Sequence, residues 1–164
     1  LTERLGASGG FSHAEISQAI SFSSLAGIAG AATAMILGRT IGIFLPLMVV
    51  GVGSALAIVG VAYGATPIIF AAAMTAFGFF WNFAPPYQLP IIAGADQAGN
   101  GMAWSILTLK VFMAAGPIVY GPIADSFGFR AASIVAAAAA ILSTLLFLSV
   151  YLGAPKAPPK KPER

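Results

Sequence analysis

The sequence predicts an all-α, polytopic membrane protein crossing the bilayer five times. Composition is the first reason. Of 164 residues, 59% are hydrophobic and 8% charged, and the mean hydropathy is +0.92. A soluble domain carries about 25% charged residues, so this chain has too little charge to cover a water-facing surface. The second reason is spacing. The apolar residues fall into five runs of about 20, the length a helix needs to cross the hydrocarbon core. The third is pattern. The runs are continuous, unlike the weak alternation of a barrel strand, and backbone in lipid must bond to itself.

The membrane domain is expected over residues 1–152. Its first span runs from about residue 16 to 37 and ends at the short break GRTIG. The second runs from about 41 to 63, where GATP turns the chain. The third runs from 67 to about 92 and contains FGFFWNFAPPYQLP. Pro85 and Pro86 remove backbone donors there and should kink or break the helix. AGADQAGNG is too polar and glycine-rich for lipid, so it is a loop. The fourth span runs from 102 to about 124 and ends at DSFGFR, and the fifth from 131 to about 152. The remainder, 153–164, is proline- and lysine-rich and is expected to be a disordered basic cytoplasmic tail. The chain opens at Leu1 with no signal-peptide pattern, which reads as a cut edge with sequence missing upstream.

Flanking cations set the orientation. Arg39, Lys156, Lys160, Lys161 and Arg164 would flank the cytoplasmic side, and Arg4 and Arg130 the outer side. The first span then enters from outside. The net charge of +3 is not a nucleic-acid footprint, and no nucleic-acid partner is expected. With no cysteine, the redox compartment is uninformative.

The spans differ in polarity. The second and fifth carry only a few Ser, Thr and Tyr and read as outer packing. Gly60 and Gly64 form a GxxxG pair suited to close helix contact. On the first, Ser17, Ser21 and Ser24 fall in one stripe at 100° per residue, with Gln18 beside it. On the third, Thr75, Phe79, Asn82 and Pro86 share a stripe, followed by Tyr87 and Gln88. Such polar faces suit either a wet path or helix–helix hydrogen bonding. Trp81 and Tyr87 could equally be interfacial anchors. The fourth span holds Lys110, roughly 12 Å in from Met102 by helical rise. A lysine there either snorkels to water or faces a cavity, since intramembrane charge is costly. Its stripe holds Ala103, Ala114, Pro117 and Gly121, which suits protein or a cavity better than lipid. Ser105 and Thr108 lie on the opposite side.

Several motifs carry a resemblance. ILGRTIGIFLPL keeps an arginine (Arg39) and a glycine (Gly42) after the first span but lacks the acidic residue and the trailing basic pair. DQAGNGMA, AAGPIVYGPIAD and DSFGFRAA place Asp96, Gly99, Gly116, Pro117, Gly121, Asp125, Gly128 and Arg130 in order along the chain. With this order and helix character the chain resembles the C-terminal half of a major facilitator superfamily transporter, lacking its first helix. The resemblance implies a six-helix half whose third and sixth helices stand away from the cavity. These correspond to the apolar second and fifth spans.

The resemblance also implies a function. The chain would be a fragment of a secondary active transporter that moves a small solute by alternating access, with proton coupling. Its partners would be the bilayer, the N-terminal half of the same transporter and the solute, and its location the bacterial inner membrane. An organic anion would suit Lys110. A drug/proton antiporter and a non-transporting anchor or assembly module are the alternatives. The candidate substrate-binding residues are Lys110, Asn82, Tyr87, Gln88 and Ser21. No cofactor or metal is expected. Catalysis is not expected either, because the single histidine, His13, precedes the first span and no nucleophile–base set lies within the spans.

Overall fold

The computed structural model describes residues 6, 7, 9–38, 40–96 and 99–153. These are almost wholly helical: α1 (His13–Leu37), α2 (Phe44–Tyr63), α3 (Pro67–Phe83), α4 (Pro85–Ala95) and α5 (Gly101–Gly153). Four helical stretches are long and apolar enough to cross a membrane, α3 and α4 together forming one of them. Arg4, Arg39 and the expected tail from residue 154 lie outside the described residues.

Local chemistry fixes the helix ends. The Glu15 amide donates to Ser12 Oγ at 3.3 Å, and the Ser12 amide donates back to the Glu15 carboxylate at 2.8 Å. This reciprocal pair satisfies two orphan donors at the start of α1, so the helix begins at His13, slightly earlier than the hydropathy suggests. Thr66 Oγ1 accepts from the Ile69 amide at 3.3 Å, and Pro67 follows in the first turn of α3, where its missing N–H costs nothing. The expected third span is divided at Ala84. That residue keeps helical angles (φ −66°, ψ −48°), and the amides of Tyr87 and Gln88 both donate to its carbonyl, at 3.0 and 3.2 Å. The axis therefore continues, but Pro85 and Pro86 have no N–H to offer the carbonyls of Trp81 and Asn82.

The expected fourth and fifth spans form the single 53-residue helical run α5. It is interrupted at Gly128 (φ 82°, ψ 160°), a conformation essentially restricted to glycine. The two legs fold back on one another. Gly101 and Trp104 share a cavity wall with Leu146, Phe147 and Val150, and Leu109 shares another with Ala140, Ser143 and Thr144. The amide of Gly101, at the start of the first leg, donates to the Asp96 carboxylate.

Packing is tightest between α1 and α3. Ile16, Ala19, Gly27, Gly30 and Ala34 are buried on one stripe of α1, facing Phe70, Met74 and Gly78 of α3. A Cβ on Gly30 would strike the carbonyl of Phe79, and one on Gly78 would strike the carbonyl of Ser23. Lipid offers little hydrophobic drive for helix association, so this close approach of small residues is what binds the pair. A second cluster near the other end joins Ala34, Leu47, Val50, Phe83, Tyr87, Ile91 and Leu148. The first leg of α5 contrasts with both. From Met102 to Val119 every residue but Ser105, Ala115 and Gly116 is exposed.

Candidate functional site

The five residues singled out from sequence do not converge on one point. Ser21 is exposed on α1, and its hydroxyl donates to the Ser17 carbonyl at 2.9 Å. Ser24 does the same toward Ile20 at 3.0 Å. The serine stripe with Gln18 is exposed, on a side of α1 turned away from its buried stripe against α3. Its hydroxyls already hold a backbone partner at Ser21 and Ser24.

Asn82 lies on α3, where its Nδ2 donates to the Gly78 carbonyl at 3.0 Å. The same amide lies across Gly27 of α1, where a Cβ would collide with it. Asn82 therefore sits at the edge of the tight seam, exposed beyond it. Thr75, of the same expected stripe, donates to Ala71 at 2.7 Å.

Tyr87 takes a different place. It is 2% exposed, tilted against Phe83 with ring centroids 5.1 Å apart, inside the cluster of Ala34, Leu47 and Leu148. Its hydroxyl has no hydrogen-bond partner among the described residues. Gln88, the next residue, lines a separate cavity of about 260 Å³ with Val50, Ser54, Trp81, Leu109 and Ser143.

Lys110 is exposed on the first leg of α5, directly after Leu109. Val111, Phe112 and Met113 beside it are exposed as well. No family model, curated protein or solved structure matches this chain. Among the described residues no three of His, Cys, Asp and Glu are grouped so as to hold a metal ion.

Two polar residues escaped the sequence reading. Ser54 on α2 and Ser143 on the second leg of α5 belong to spans expected to be outer packing, yet both line the Gln88 cavity. Their stripes are otherwise apolar, and only tertiary packing brings them together. The pattern Gly51, Gly53, Ser54 was the one signal available, since small residues mark close approach. Gly51 meets Thr144 and Gly53 meets the ring of Phe80, and Gly51, Thr144 and Phe80 all line that cavity.

Proposed function

We propose that the chain is the C-terminal part of a secondary transporter of the major facilitator type, and that it works against a facing half. The observation that supports this reading is Lys110. An ammonium on an exposed face of a membrane-length helix, with no ion pair among the described residues, costs at least about 2.5–3.5 kcal/mol if lipid surrounds it. A water-filled path covered by a facing half removes that cost. Gln18, exposed beside the serine stripe of α1, supports the same cover, since an amide turned outward has little use against lipid.

The break at Gly128 supports five crossings. At about 1.5 Å per residue, α5 would be roughly 80 Å long if straight, against a hydrocarbon core of about 30 Å. Folding back at Gly128 gives two crossings instead of one. An odd number of crossings puts the two ends of the chain on opposite sides, with the loop at Asn100 cytoplasmic and that at Ser126 outside. Solute would bind between the halves, which rock around it. An organic anion fits Lys110 by Coulomb attraction in a low dielectric. The segment alone is not expected to transport, because alternating access needs both halves.

Water access at residue 110 tests this. The chain has no native cysteine, so single cysteines report cleanly. In the transporter containing this segment, Lys110→Cys should react with a water-soluble thiol reagent, and bound solute should slow the reaction. Phe112→Cys, about 200° around the helix, should not react. Equal inertness at both positions would put residue 110 against lipid and remove the path.

A further inference from the structure

We propose that the cavity at Gln88 binds a small neutral hydrogen-bonding solute of the amide or polyol class, at a site inside this assembly that Lys110 does not line. It stands on the packing of α2, α3, α4 and both legs of α5, and holds whether or not the chain transports anything.

The first argument is convergence. Ser54 from α2, Trp81 from α3, Gln88 from α4 and Ser143 from α5 all reach one volume of about 260 Å³. Four separate elements thus bring a polar residue to the wall of one cavity in a chain that is 59% hydrophobic.

The second argument is that these groups are uncommitted. Many hydroxyls here are spent on their own helix. Thr33, Ser105 and Thr144 each donate to the carbonyl four residues back, at 2.7, 2.6 and 3.0 Å. By contrast, the side chains of Ser54, Ser143 and Gln88 have no such bond among the described residues. The Trp81 carbonyl lacks its usual helical donor, because Pro85 has no amide N–H. The two hydroxyls and the amide of the lining residues supply both donors and acceptors for an occupant.

The third argument concerns charge. Among the described residues no Asp, Glu, Lys or Arg lines the cavity. An ion entering would lose its hydration with no opposite charge to meet, which is unfavourable at membrane depth. A neutral molecule has no such cost. The walls suit one with an apolar face. Phe77 and Trp81 stand with ring centroids 5.8 Å apart, and Phe80 closes the side toward Gly53. The volume admits a molecule of roughly ten heavy atoms, taking about 30 Å³ per water-sized atom, just below the size of usual drug pockets. A lipid tail would fill the space but leave every polar group unbonded.

Acrylamide, a small neutral amide that quenches indole fluorescence, is a direct probe. The chain has two tryptophans, and Trp104→Phe leaves Trp81 as the sole reporter. The full 164-residue chain carrying that change is placed in phosphatidylcholine nanodiscs, and intensity and lifetime are recorded against acrylamide concentration. Bound acrylamide should give a saturable static component, seen in intensity but not in lifetime, that non-quenching acetamide competes away. Gln88→Leu should weaken that component on the order of tenfold, as expected for losing a buried hydrogen-bonding partner. Gln88→Asn should retain part of it. Ser143→Ala, a mild change, gives a second reading, and circular dichroism confirms that the variants keep their helix content. Purely collisional quenching, indifferent to Gln88→Leu and Ser143→Ala, would overturn the proposal and leave a hydrated gap. Saturable quenching by iodide in place of acrylamide would overturn the neutral class. Dominant static quenching by bromine-labelled lipid tails would mean that lipid fills the cavity.

Discussion

Gly30 of α1 lies directly against the backbone carbonyl of Phe79 on α3, leaving no room for even one side-chain carbon. The contact lies on the buried stripe that runs from Ile16 to Ala34. Replacing Gly30 by leucine must push the helices apart. Overpacking of this kind costs about 1–3 kcal/mol, and here it also forfeits the close contact that binds helices in lipid. Gly30→Leu should lower the unfolding midpoint in a denaturing-detergent titration. Ile28→Leu, exposed on the same helix, should leave it unchanged. Equal midpoints for both variants would show that the seam is not a source of stability.

The guanidinium of Arg130 stands 5.0 Å from the ring centroid of Tyr63. It links the end of α2 to the second leg of α5 two residues after the Gly128 break. Such cation–π contacts contribute about 0.5–1 kcal/mol at exposed sites. A double-mutant cycle of Arg130→Ala and Tyr63→Leu should return a coupling energy of about that size. Fully additive effects would mean that the two groups are neighbours without interacting.

Tyr87 is buried with an unpartnered hydroxyl. Removing a buried hydroxyl that bonds nothing should not destabilise the fold, and can stabilise it. Tyr87→Phe is therefore expected to unfold at the same or higher detergent concentration, with solute affinity unchanged. Tyr87→Ala should cost about 3–5 kcal/mol, as large aromatic truncations do. Loss of solute binding in Tyr87→Phe at full stability would instead give the hydroxyl a ligand.

Much of the backbone plan was legible because hydropathy, proline and glycine act locally. The apolar runs, the disturbance at Pro85 and the turn near DSFGFR each depend on a few adjacent residues. Gly128 breaks the α5 run where glycine was already the odd residue among aromatics. Side-chain partners were less legible. The sequence places Asn82 on a polar stripe, but that its amide bonds Gly78 and lies across Gly27 is a relation set by helix α1. Tyr87 and Gln88 are adjacent in sequence, yet one points into a packed cluster and the other lines a cavity. Ser54 and Ser143 gain interest only because α2 meets the second leg of α5, of which the small residues Gly51 and Gly53 are the one local sign.

The charge at residue 110 is the feature on which the transporter reading turns. The decisive measurement is the uptake or efflux rate of the full-length transporter carrying Lys110→Met, at matched expression. Insertion should be at least as good as with lysine, because the membrane cost of the charge is gone. Transport should nonetheless fall by about tenfold or more, the equivalent of losing a single charge-assisted contact to solute. Lys110→Arg should keep part of the rate, since it preserves charge but replaces a compact ammonium with a planar fork. Transport at the normal rate by Lys110→Met would contradict the assignment of Lys110 to the solute path, and with it the anionic solute.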